Sequence, residues 1–171
     1  MFFTSIAASH LDDERNAKNE PEQLTLNFLN FKEVVSQLMR SLQTYIVEDS
    51  PVIRESLIAT LEELLPVEVV GTAEDEHTAV QWLSQPANHC DLVIVDIFLK
   101  SGSGLGVLRA ASALPQPLNL VVLSNYATND MRRKCLDLGA VRVFDKSNEI
   151  DALILYCGRL AAGETGHGVL A

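Results

Sequence analysis

The chain has 171 residues, with 23 Asp or Glu against 13 Lys or Arg and a formal net charge of −10. That is room for one domain with a real core, and the acidic balance argues against non-specific nucleic-acid binding or docking on an anionic membrane, since both need a basic surface. No run approaches the ~20 apolar residues of a membrane span, and the start MFFTSIAASHLDDER lacks a signal peptide's basic region.

Three widely spaced cysteines, Cys90, Cys135 and Cys157, form no CxxC pair and read as buried apolar residues in a reducing compartment, so a cytoplasmic location is expected. Residues 1 to 23 mix polar, acidic and small side chains and predict loose structure. From Leu24 to Leu42, the positions Leu26, Leu29, Val34, Leu38 and Leu42 recur at helical spacing, which predicts an amphipathic helix. Met39, just before the first strand, is a candidate start. Residues 1–41 are therefore expected to form an N-terminal extension, 42–162 the folded domain, and 163–171 a mobile tail.

Within the domain, TYIV (Thr44 to Val47) predicts the first strand. Ser50 and Pro51 predict the cap and first position of a helix to about Leu65, with Val52, Leu57, Leu61 and Leu64 or Leu65 facing inward. Val67 to Val70 predicts the second strand, with Gly71 and Thr72 turning the chain. A helix from Glu74 to about Gln85 carries Trp82 as a packing residue. The unbroken apolar run LVIV (Leu92 to Val95) predicts a strand buried on both faces. Helices are expected over about 104–114, 128–138 and 149–162, with Gly139 a left-handed cap. Strands are expected at 118–123 and 141–144. Five strands alternating with five helices mean βαβ units and a doubly wound parallel sheet of flavodoxin-like order 2-1-3-4-5.

That order brings together whatever stands at the carboxyl ends of the strands. Glu48 and Asp49 follow the first strand, Asp96 the third, Ser124 the fourth and Lys146 the fifth. Taken singly, Asp96 reads as a helix cap, Glu48 and Asp49 as a solvated loop, and Lys146 as a surface lysine. Together they form a constellation. Three clustered carboxylates call for a hard cation, and Mg²⁺ prefers carboxylate oxygens plus retained waters. Asp96 can then serve as a nucleophile for a phosphoryl group, with Lys146 and the Ser124 hydroxyl on its oxygens. His10, His77, His89 and His167 are scattered and pair with nothing catalytic.

This set resembles the receiver domain of two-component response regulators. The matching motifs are IVEDS (46–50), LVIVDIFL (92–99), Gly104, VVLSN (121–125) and FDKS (144–147), and the resemblance spans about 42–162. It implies Asp96 as phospho-acceptor and Glu48, Asp49, Asp96 and the Phe98 backbone carbonyl around Mg²⁺, with Asp49 ligating directly and Glu48 through water. It also implies Ser124 as the hydroxyl that senses the phosphoryl group and Lys146 as the lysine. Implied partners are a histidine kinase or phosphotransfer protein, and an output protein or second copy seen through helix four, strand five and helix five. Too few residues follow helix five for a DNA-binding module, so a single-domain receiver without nucleic-acid binding or enzymatic turnover is expected. Departures stand at Lys100 and Ser147, where proline is common, at Asn125, where a very small residue is usual, and at Val143, where an aromatic switch partner is usual. The competing readings are a receiver-like interaction module indifferent to phosphorylation and a haloacid-dehalogenase-type hydrolase. The latter needs an Asp where this chain has Phe98.

Overall fold

The computed structural model describes residues 41–164. The N-terminal extension, the candidate start Met39, the tail beyond Glu164, His10 and His167 lie outside them, as does the predicted amphipathic helix apart from its last two residues. The last of these, Leu42, opens the first strand instead.

Five strands form one parallel sheet: β1 (Leu42–Val47), β2 (Val67–Ala73), β3 (Leu92–Val95), β4 (Asn119–Ser124) and β5 (Arg142–Asp145), in the order β2-β1-β3-β4-β5. Between them run α1 (Pro51–Leu64), α2 (Glu76–Leu83), α3 (Gly104–Ser112) and α4 (Asn129–Asp137), and α5 (Ile150–Ala161) follows β5. This is the flavodoxin-like architecture expected from the sequence. Among the described residues no helix is long and apolar enough to cross a membrane.

Each buried strand feeds both faces of the sheet, because successive side chains point to opposite sides. Tyr45, Val47, Val93, Val95, Val122 and Val143 pack with residues of α2, α3 and α4, whereas Ile46, Leu92, Ile94, Val121, Leu123 and Phe144 pack with α1 and α5. An unbroken apolar run is thus two interleaved stripes, one for each core. The helices begin where short polar side chains accept the first free N–H groups: Ser50 from Ile53, Asp75 from Thr78, Ser103 from Gly106 and Thr128 from Met131. Gly139, at φ 99°, closes α4 as anticipated.

Two expectations change. β2 does not turn at Gly71 but continues to Ala73, and its register against β1 slips between Thr44 and Tyr45. Gly71 serves close approach rather than a turn, since a Cβ there would lie 2.9 Å from the Tyr45 ring. That ring stacks on Trp82 with centroids 4.0 Å apart, which confirms the packing role of Trp82. Val52 is 76% exposed because it sits in the first turn of α1, above the sheet edge. At the other end Leu65 reaches the core and Leu64 is exposed.

The three cysteines are free thiols, and burial pushes Cys157 up to about 12 and Cys90 up to about 11. Thiol labelling at about pH 8 is expected to leave Cys135 and Cys157 silent until the protein unfolds, with Cys90 reacting slowly, because the thiolate is the nucleophile. The same shift has a sign for stability. Above the ordinary thiol value the unfolded chain releases protons that the folded chain still holds. Stability therefore falls as pH rises from about 9 toward about 12, by up to ~1.4 kcal/mol per pH unit for Cys157. Urea titrations at about pH 8 and about pH 10 measure it, and a Cys157→Ala variant should show a shallower slope.

Candidate functional site

The carboxyl edge of the sheet gathers the polar residues. Glu48 follows β1, its N–H donating to the Ala73 carbonyl at 2.9 Å, and Asp96 follows β3, its N–H donating to the Val47 carbonyl at 2.9 Å. The main chain thus continues its ladder one residue past each strand and fixes where the carboxylates begin. Lys146 follows β5, and its N–H donates to the Ser124 carbonyl. Its Nζ lies 2.5 Å from Glu48 Oε2 and 2.7 Å from Asp96 Oδ2, with all three side chains at most one-tenth exposed. Carboxylate oxygens of Glu48, Asp49 and Asp96 lie within 4.8 Å of one another. Four of the residues expected to converge therefore do so.

The electrostatics follow from one lysine shared by two buried carboxylates. Burial pulls the Lys146 ammonium down, but hydrogen bonds and charges from Asp96 and Glu48 together outweigh it and the net direction is up. Glu48 is also raised, because burial, helped by the negative charge of Asp96, outweighs the hydrogen bond and charge of Lys146 and the N–H of Ser50. The Ser50 N–H donates to Glu48 Oε1 at 3.2 Å, and the Arg54 guanidinium donates to the Glu48 carbonyl at 2.8 Å. This donor set fits a small divalent cation: three hard carboxylate oxygens facing one space, more negative charge than Lys146 balances, and burial that makes the excess costly.

Ser124 is different. It is fully buried at the end of β4, but its hydroxyl accepts from the Tyr126 N–H at 3.4 Å rather than reaching Asp96 or Lys146. Phe98 pairs through an isolated bridge with Ser103, and its N–H lies 3.4 Å from Asp96 Oδ1. Its exposed ring meets that of Tyr126 edge-on, with centroids 5.8 Å apart.

The departures acquire partners. Lys100 forms an exposed ion pair with Glu74 at 2.8 Å, and Ser147 Oγ donates to Asn125 Oδ1 at 3.4 Å. Asn125 and Lys146 line an open cavity of about 390 Å³ together with Val52 and Ile53. Val143 faces α4. Phe144, one residue on, faces the other side of the sheet and packs on Tyr156 with centroids 5.9 Å apart. It therefore cannot stand in for the missing aromatic.

Sequence reasoning missed three residues around the site. Glu76 accepts from the Ser103 N–H at 2.8 Å while its own N–H donates to the Ser101 carbonyl, so it holds the β3–α3 loop against α2. Arg132 and Glu149 form an ion pair behind β5. These contacts span 27 and 17 positions and leave no local pattern.

A sheet of this order with a buried lysine and an acidic cluster at its carboxyl edge defines a flavodoxin-like α/β domain with a charged site at its strand ends. A family model of the response regulator receiver domain matches residues 44–157, and this chain belongs to that family, whose general function is phosphorylation-based signalling in two-component systems. The protein-glutamate methylesterase/protein-glutamine glutaminase 5 of Anaeromyxobacter dehalogenans is 33% identical over 109 residues, 63% of this chain and 29% of that protein. The transcriptional regulatory protein MalR of Bacillus subtilis is 28% identical over 106 residues, 62% of this chain and 44% of its own length. The chain thus spans less than half of these curated relatives. Among solved structures, a two-component response regulator of the LuxR family from Aurantimonas sp. matches with a TM-score of 0.65 at 20% identity, covering 72% of this chain and 87% of that one. The response regulator domain of Thermotoga maritima CheB matches with a TM-score of 0.63 at 20% identity, covering 74% and 99%.

Gly104 gives a test of how tightly the site is built. A Cβ there would stand 2.0 Å from the Asp96 carbonyl oxygen, a backbone atom that cannot move without displacing Asp96. Gly104→Ala is expected to cost about 2 kcal/mol or more of stability, by the overpacking and strain that dominate large mutational losses. Urea denaturation measures it.

Proposed function

We propose that this chain accepts a phosphoryl group on Asp96 from a histidine kinase or phosphotransfer protein, in a Mg²⁺-dependent reaction, and signals through protein–protein contacts. The observation that carries the reading is the pairing of one buried lysine with two carboxylates while a third stands within 4.8 Å. Glu48, Asp49, Asp96 and the Phe98 carbonyl would hold the cation. When bound, Mg²⁺ supplies Lewis-acid neutralisation of phosphoryl charge. The functional domain is residues 42–162, acting in the cytoplasm, and the acidic charge of the chain favours protein partners over nucleic acid.

The chemistry of the chain's own residues is direct. An Asp96 carboxylate oxygen attacks phosphorus, the bond from phosphorus to the donor's imidazole nitrogen breaks, and the nitrogen keeps its electron pair. Lys146 holds Asp96 in place beforehand and then donates to a phosphoryl oxygen. Its two hydrogen bonds keep it charged, so no proton need be found during transfer. Ser124 gives up its contact with Tyr126 to donate to a second phosphoryl oxygen, and that movement of the β4–α4 loop is the local event that phosphorylation drives. Hydrolysis of a substrate is not part of the reading.

One observation favours a second reading, an interaction module of the same fold that ignores phosphorylation. Val143 carries no ring, and the ring of Phe144 lies on the wrong face. The two readings part on one experiment. Full-length protein incubated with acetyl phosphate and Mg²⁺ should gain one phosphoryl mass, and Asp96→Ala none. Lys146→Met should slow uptake by about a hundredfold, as losing one transition-state donor does. Equal labelling of wild type and Asp96→Ala defeats the first reading. No labelling of the folded wild type selects the second.

A further inference from the structure

Behind β5, on the side away from α1, one side chain ties together the segments that carry the hydroxyl and the lysine. Arg132 lies on the first turn of α4. Its Nε donates to the Ala127 carbonyl at 3.0 Å, Nη1 to the Val143 carbonyl, and Nη2 to Glu149 Oε2 at 2.6 Å. The same Glu149 oxygen accepts from the Asp145 N–H at 2.6 Å. Ala127 is three residues after Ser124, and Asp145 directly precedes Lys146. Glu149 is the N-cap position of α5, yet it makes no capping bond to that helix. Its carboxylate is spent on Arg132 and β5 instead. The hydrogen bond and charge of Arg132 hold Glu149 below the usual carboxylate range, so the pair persists at neutral pH.

We infer that Arg132, held by Glu149, is a positioning residue that makes the Ser124 loop and the Lys146 strand end move together with α4 when the site is loaded. The inference rests on the phospho-acceptor reading of Asp96. The planar guanidinium suits the task, because its fixed fork of N–H donors can meet three acceptors on three segments at once, which a lysine cannot. It also acts at the right place. The Val143 carbonyl belongs to the residue whose side chain lacks the aromatic ring, so the link between site and α4–β5–α5 face runs through the backbone of that residue. Displacing Ser124 toward a phosphoryl group pulls on Ala127, and Arg132 carries the pull to β5 and to α4.

The test uses full-length wild type, Arg132→Ala, Arg132→Lys and Glu149→Gln. Mg²⁺ affinity, beryllofluoride affinity at saturating Mg²⁺, and amide exchange with and without beryllofluoride are measured on each. Arg132 touches none of the three carboxylates, so Mg²⁺ affinity should stay within about twofold, the scatter expected of distant independent sites. Beryllofluoride affinity should fall roughly tenfold in Arg132→Ala, within the usual span of coupling between sites. The exchange change on loading should persist over 124–127 and vanish over α4. Arg132→Lys should restore only part of both, and Glu149→Gln, which keeps the acceptor for Asp145 but not the charge, should lie between wild type and Arg132→Ala. They also keep the idea testable if Arg132→Ala does not fold. Wild-type beryllofluoride affinity and a wild-type exchange response in these variants overturn the inference alone. So does a parallel loss of Mg²⁺ affinity, which marks a general loss of structure. If wild type itself binds Mg²⁺ but not beryllofluoride, the phospho-acceptor reading fails and this inference with it.

Discussion

The ammonium group of Lys146 between Glu48 and Asp96 is the contact on which the carboxyl edge of this sheet depends. β1 and β5 are separated in the sheet by β3 and β4. At about 4.8 Å per strand the gap from β1 to β5 is roughly 14 Å. Only long side chains close it, and the lysine stem comes from one side while the glutamate, one methylene longer than an aspartate, comes from the other. The parallel order, the two-sided burial of β3 and the continuation of the backbone ladder to Glu48 and Asp96 all bring three charges into a space nine-tenths closed to water.

That arrangement does not serve stability first. Two carboxylates sharing one ammonium leave a net negative charge in a region where charge is costly, and the raised Glu48 records the cost. Replacing buried ion pairs with apolar residues is often neutral or stabilising. A fold that keeps such a cluster holds it by the rigidity of what surrounds it. Here the surroundings are Gly104 pressed against the Asp96 carbonyl, Glu76 bonded to the β3–α3 loop, and the Arg54 guanidinium on the Glu48 carbonyl. The excess negative charge is the physical reason a cation fits.

The sheet order and the ends of the strands were legible because the rules that govern them are local. Short apolar runs, Ser50-Pro51 and Gly139 each act within a few residues. The face a residue occupies is equally local, yet it is easily misjudged when both faces are buried. Nothing in the run RVFD says that Val143 belongs to one core and Phe144 to the other, although a step of one residue in a strand must change sides. Gly71 misled for a related reason. A glycine marks either a turn or a close approach, and only the Tyr45–Trp82 stack, formed by residues 37 positions apart, decides between them. Val52 looked apolar enough for the core but stands in a turn that overhangs the sheet edge. Glu76, Arg132 and Glu149 were illegible for a deeper reason. Each is a charged residue at the start of a helix, where such residues are usually solvated, and its role exists only in the pairing.

The pairing of Arg132 also changes how the missing aromatic should be understood. A ring that swings between two rotamers stores its two states in packing, and a valine has no comparable second position to offer. Backbone carbonyls held by a guanidinium store them differently, in which acceptors share a fixed set of donors. Such a tie is stiff in the plane of the fork and weak to competition from water, because the Arg132 and Glu149 side chains are about one-third exposed. It therefore transmits small displacements of the β4–α4 loop without needing a cavity for a side chain to enter. Val143 is small and buried against α4. The same valine that removes a rotamer switch gives β5 the close packing on α4 that a hydrogen-bonded link requires.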